Sequence, residues 1–170
     1  MNRLLISLLV VIFITVCSKK EEYSSISPIN WDKRTVNQSI KNSLTSGSTY
    51  LSVYSQIYSM TEHKTHDLTA TISMRNTNKT DTIFIEKAEY FDTKGNLIRT
   101  YFNKPIYLIP METVEIVIDQ DDNEGGTGAN FIFDWKIKPD TNEPLFEAVM
   151  ISTYGQQGLS FTTTGIRLTN

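Results

Sequence analysis

The feature that most limits how this chain can fold is a period-two alternation that begins near residue 50 and recurs, broken by turn signals, to the C-terminus. Leu68, Ala70, Ile72 and Met74 alternate with Thr69, Thr71, Ser73 and Arg75, and Phe131, Phe133, Trp135 and Ile137 with Ile132, Asp134, Lys136 and Lys138. Successive side chains of a strand point to opposite faces, whereas a helix would scatter such a series around its axis. Leu51, Val53 and Ile57 against Ser52, Tyr54 and Tyr58, and Val114, Ile116 and Ile118 along one face, repeat the pattern. Trp135, in phase with Phe131 and Phe133, is a candidate core residue.

Punctuation sets the strand limits. Asn76-Thr77-Asn78 reads as a turn, and Asp92 to Asn96 joins the runs Ile83–Phe91 and Leu97–Phe102 as a hairpin, with Gly95 in the left-handed position. Pro105 and Pro110 confine Ile106–Ile109 to an edge or corner. Ala148 to Ile151 is apolar on both faces, which predicts a central strand covered on each side. Gly165 is expected to be a bulge. Seven to eight short strands without a long helical period predict an all-β fold, an antiparallel immunoglobulin-like β-sandwich, with a small barrel as the alternative.

Ahead of this domain, Arg3 precedes an apolar run, Leu4 to Val16, that ends at the sole cysteine, Cys17. At about 13 residues the run is short of the roughly 20 that a spanning helix needs, and the pattern is that of a secretory signal peptide. Ile14-Thr15-Val16-Cys17 resembles a bacterial lipobox, with Val16 where a smaller residue is usual. The expected organisation is therefore a lipoprotein signal peptide over 1–16, a lipidated Cys17 with a flexible tether over 17–49, and the sandwich over 50–170. Val36, Ile40 and Leu44 allow one short helix in the tether. Lys19-Lys20-Glu21-Glu22 reads either as a solvated charge run or as a resemblance to a surface-export tag. The protein is expected in the bacterial cell envelope, lipid-anchored to the outer membrane.

A net charge of −3, made one more negative by loss of Arg3, excludes the basic footprint of nucleic-acid binding.

Several segments are familiar together: Tyr50-Leu-Ser-Val-Tyr-Ser-Gln-Ile-Tyr58, Leu68-Thr-Ala-Thr-Ile-Ser-Met-Arg-Asn-Thr77, Gly125-Gly-Thr-Gly-Ala-Asn-Phe131, Glu147-Ala-Val-Met-Ile-Ser152 and Gly155-Gln-Gln-Gly-Leu-Ser-Phe161. Across Tyr50 to the C-terminus the chain resembles a bacterial family defined as domain of unknown function 3124. The resemblance implies an exported bacterial protein and carries no catalytic residues.

Motifs for chemistry are sparse. His63 and His66 stand three apart just ahead of a strand, without further zinc ligands, and read as solvated loop residues. Asp119, Asp121, Asp122, Asn123 and Glu124 cluster oxygens suited to calcium, but the spacing misses the EF-hand loop. Gly125-Gly126-Thr127-Gly128 lacks the Lys-Ser/Thr of a phosphate loop, and Ser160 lacks a nucleophile elbow. Glu143 and Glu147 are a carboxylate pair in composition only. No metal or cofactor is called for.

The expected function is a non-catalytic binding or scaffolding module, with membrane contact through the lipid and a protein or glycan partner; the alternative is an envelope hydrolase acting on glycan or peptide. If the strands over 129–137 and 145–154 pair as a hairpin, the Asp119–Gly128 and Gly155–Gly158 loops lie side by side. The binding surface is then Asp121, Asp122, Glu124, Asn130, Tyr154, Gln156 and Gln157, since loops at the end of a rigid sandwich are where binding residues gather.

Overall fold

Residues 29–36, 43–154 and 156–169 are described in the structure, a computed structural model. The leader, Cys17, the Lys19–Glu22 run, the middle of the expected Val36–Leu44 helix and Gly155 lie outside them. The alternating segments form strands, all paired antiparallel. The first sheet holds β1 (Thr45–Val53), β5 (Ile83–Phe91), β6 (Leu97–Phe102), β7 (Ile106–Leu108), β9 (Ala129–Ile137) and β12 (Ile166–Leu168), in the order β12-β1-β9-β5-β6 with β7 also on β5. The second has the order β11-β10-β4-β8, from β4 (Thr69–Arg75), β8 (Thr113–Ile118), β10 (Leu145–Tyr154) and β11 (Gln157–Thr164). A separate hairpin, β2 (Gln56–Ser59) with β3 (Thr61–Asp67), forms an arm.

The architecture is an antiparallel β-sandwich and not a barrel. The described strands number twelve, more than the seven to eight expected, because the run read from Leu51 to Tyr58 divides between β1 and β2, β3 lacks an apolar face, and the three-residue β7 and β12 are too short for alternation to reveal. The first strand begins at Thr45, inside the expected tether: its Ser- and Gly-rich start pairs Gly47 with Trp135. Trp135 needs that glycine, since a Cβ at Gly47 would overlap the indole ring.

The inward phases meet as expected. Leu51, Ala70, Ile72, Met74, Phe131, Phe133 and Trp135 are fully buried. An aromatic column crosses the sandwich: ring centroids lie 4.8 Å apart from Tyr90 to Phe131, 5.4 Å from Phe131 to Phe133 and 4.3 Å from Phe133 to Phe146 on the opposite sheet. Trp135 Nε1 donates to Thr49 Oγ1 at 2.9 Å, so the ring buries its area without stranding its donor.

Three expectations change. β9 and β10 do not pair; the 139–144 connection carries the chain from one sheet to the other. β10 is hydrogen-bonded on both edges, but its outer face meets solvent, leaving Val149 39% and Ile151 51% exposed. Gly165 is a corner between β11 and β12 where the chain changes sheets; its N–H donates to Phe146 O at 2.8 Å, and a Cβ would come within 2.7 Å of Thr49 Cγ2.

The registers define two poles. β5 runs from Ile83, opposite Leu108, to Phe91, opposite Asn130. At the Ile83 pole a strap crosses the edge. Its helix α1 (Trp31–Arg34) is capped by Asn30 Oδ1, which accepts from Lys33 N at 3.2 Å. Trp31 tilts against Phe102 at 4.9 Å, Arg34 pairs with Glu112 at 2.7 Å, and Val36 N donates to Pro105 O at 2.8 Å.

The expected Asn76–Asn78 turn is a buried knot at this same pole. Asn76 Nδ2 donates to the carbonyls of Asp81, Leu108 and Ile109 at 2.8–3.0 Å, while its Oδ1 accepts from Asn78 N and Nδ2, each at 3.0 Å. Asn78 in turn exchanges hydrogen bonds with the Asn142 backbone at 2.8 and 2.9 Å. Two short amides thereby satisfy the backbone of three connections that pass between the sheets.

Candidate functional site

The opposite pole gathers the loops. Ile118 lies opposite Ala70 and Ile151 opposite Thr69, so the Asp119–Gly128 loop and the β10–β11 turn leave the second sheet at one end. Ala129 opposite Val53 and Asn130 opposite Phe91 bring the arm and the β5–β6 turn to the same end.

Each loop is held by its own chemistry. In the β5–β6 turn Asp92 Oδ1 accepts from Lys94 N and Asn96 N, both at 2.8 Å, with Gly95 at φ 83°. The hydrogen bonds from the Asn96 side chain and backbone hold the Asp92 carboxyl below its ordinary pKa. Thr93 then clamps the glycine loop: its N–H and Oγ1 both donate to Gly125 O, at 3.1 and 3.0 Å, and Oγ1 accepts from Gly128 N at 2.9 Å. Ser55 Oγ adds a bond to Gly126 O at 3.2 Å. The glycine-rich stretch, with its 3-10 turn at Gly126–Gly128, is thus packed against Thr93 and Tyr90 and does not offer an open cradle.

The acidic loop is braced from β6. Arg99 Nη1 meets Asp122 Oδ2 at 3.0 Å and Tyr101 Oη at 3.1 Å, and Arg99 Nη2 reaches Glu124 at 3.6 Å. The Asp122 side chain is only 9% exposed, and that of Glu124 is 63% exposed. Beneath them lie Tyr90 and Tyr101, whose phenols burial pushes above the ordinary tyrosine pKa.

The expected surface therefore divides. Asp121, Glu124, Gln156 and Gln157 are exposed at the loop pole. Asp122 is committed to Arg99 and belongs to the scaffold. Asn130 is the second residue of β9 in the first sheet and Tyr154 ends β10 in the second, with β4 between β10 and β8. The seven positions share the loop pole and are divided between the two sheets. His63 and His66 lie within β3 of the arm, not in a loop ahead of a strand.

The arm is the part that the sequence did not announce. It stands on Ser55, whose carbonyl accepts from Leu68 N at 2.9 Å, and on a bond from Gln56 Nε2 to Asp67 Oδ1 at 2.7 Å. Its tip displays Met60, 95% exposed at φ 64°, and Tyr58, 62% exposed. Strand alternation fades here because most of β3 faces water, so no apolar face marks it.

Among the described residues no group of three or more His, Cys, Asp or Glu side chains is placed to hold a metal ion, and no helix is long and apolar enough to cross a membrane.

A family model described as Protein of unknown function (DUF3124) matches residues 46–168. The chain belongs to this family. The DUF3124 match starts within one residue of β1 and ends with β12, so it covers both sheets, the arm and every loop of the loop pole. No curated protein matches the chain. Among solved structures it is similar to the crystal structure of Thermotoga maritima 1070, at 7% identity and a TM-score of 0.45, over 71% of this chain and 92% of that one.

Proposed function

We propose that this DUF3124 protein is a lipid-anchored, non-catalytic binding module of the bacterial cell envelope, attached to the outer membrane through Cys17 and engaging a protein or glycan at its loop pole. One observation carries the reading. The strap over residues 29–36 meets the sandwich at the Ile83 pole, while the arm, the β5–β6 turn and the acidic loop crowd the other. A chain tethered on its N-terminal side would thus hold its loops away from the anchor. Twelve residues, 17–28, precede the strap. Fully extended they reach at most about 40 Å.

Two measurements test this. Labelled fatty acid should enter the wild-type protein, and Cys17→Ser should shift it from the membrane pellet; no incorporation would end the lipoprotein reading. Separately, Asp121, Glu124, Gln156 and Gln157 replaced together by Ala should leave the fold intact and abolish capture of the partner that copurifies with the wild type from native membranes. Unchanged capture would move the binding surface elsewhere. Asp122 is left untouched, because it makes the shorter of the two ion pairs of Arg99 and is nearly buried.

A further inference from the structure

The strands at the borders of the two main sheets differ in how they are guarded. β8 carries Glu115, β6 carries Arg99 and β12 carries Arg167. The three-residue β7 is covered by Thr35, which bridges to Ile106. Charge, shortness and a covering segment are the devices by which sheets avoid pairing with other chains.

β11 has none of them. It is eight residues long, without charge or proline, and exposed along most of its length. Among the described residues its backbone partner is β10 alone. The outer face beside it is uncharged over most of its length: Val149 and Ile151 pair with Thr162 and Ser160, and no charged residue occurs from 148 to 166. The one charge bordering β11, Glu147 opposite Thr164 at its end, is neutralised by Arg75. The outer face of the first sheet contrasts with this, since Lys87 pairs with Glu89 and Asp134 there, and Lys136 with Glu86.

We propose that β11 is where a second copy of this chain adds, antiparallel about a two-fold axis, joining two four-stranded sheets into one of eight strands. The argument for a second copy is charge. Across a two-fold axis a patch meets itself, so any charge near the axis meets its own sign. An uncharged strand escapes that repulsion. Ser160, Thr162 and Thr164 alternate along its outer face and offer cross-strand hydroxyl pairs. Main-chain hydrogen bonds along the edge supply the attraction, as in other strand additions. The proposal is independent of lipidation and of the loop pole.

Sedimentation velocity of the full chain in detergent, over a dilution series, tests it. The wild type should pass from dimer to monomer on dilution, with those amides of the Gln157–Thr162 stretch that do not bond to β10 protected from exchange only in the dimer. Thr162→Lys and Ser160→Lys should each be monomeric throughout, while Val117→Lys, on the far edge strand, should dimerise as the wild type does. A wild type that is monomeric at every concentration overturns the proposal, even if its edge accepts a foreign extended peptide. So does a dimer that survives both lysine variants.

Discussion

The Tyr90 hydroxyl occupies the space that a Cβ on Gly125 would need. Tyr90 is fully buried, and the polar neighbour of its oxygen is the Ser55 hydroxyl, which itself donates to Gly126 O. Gly125→Ala should therefore cost about 1–3 kcal/mol, the usual range for overpacking. Tyr90→Phe alone should cost no more than about 1 kcal/mol, because the buried hydroxyl has only a weak contact, to Ser55, to lose. In the double variant much of the Gly125→Ala loss should disappear, with a remainder from Ala129, 2.7 Å from the same Cβ. Urea melts of the four proteins close the cycle; strict additivity would show that the contact is not felt.

Trp135→Ala should remove about 3–5 kcal/mol, a large part of the 5–15 kcal/mol typical of a domain. The indole is fully buried against Gly47, bonded to Thr49 and lies 5.1 Å beneath the Arg167 guanidinium. Thermal unfolding followed by circular dichroism reads the loss, and a variant as stable as the wild type would contradict this packing.

Asn76→Ala should be among the most damaging polar substitutions. It strips hydrogen bonds from three buried or half-buried carbonyls and from Asn78. Each buried group left unsatisfied costs about 1–3 kcal/mol. Asn76→Asp restores the acceptor but not the donors, so it should recover little. Equal stability of Asn76→Ala and wild type in denaturant would refute the knot.

Acid should loosen the strap before the sandwich. Burial works to raise the Glu112 pKa, but Arg34 and the Ile109 N–H outweigh it and bring it below the ordinary 4.5. A carboxyl with a depressed folded pKa contributes stability that is fully present above 4.5 and is lost as pH falls through the lower folded value. The protection factor of the Val36 amide, bonded to Pro105 O, should fall across that window in the wild type and be low at all pH values in Glu112→Gln. A Val36 protection factor that does not change with pH in the wild type would remove Glu112 from the latch.

Much of the sandwich was legible because burial on one face writes itself into alternate residues. The bounds of β5 and β6 follow from that periodicity and from Asp92 and Gly95 between them. Sheet assignment was not legible. Proximity of β9 and β10 in sequence suggested a hairpin, but pairing is decided by which faces share the core, and alternation reads the same in either sheet. The apolar outer face of Val149 and Ile151 suggested a cover, although an inner strand can be paired on both edges and still be wet on one face. At the loop pole, chain order brought Asp122 forward as a binding residue; its engagement by Arg99, 23 residues earlier, is long-range and left no local signal. Thr93 escaped notice for the same reason, 32 residues from the Gly125 carbonyl that it holds.

The strap has a mechanical consequence. Any pull that reaches the protein from the side of residue 28 meets Trp31 on Phe102, Arg34 on Glu112 and Val36 on Pro105 before it reaches the first strand of the sandwich. These contacts sit at different points along the strap and must yield together or in series. They act as strain relief does on a cable, so that a tug on the leash is spent at the collar and the aromatic column between the sheets is not asked to bear it.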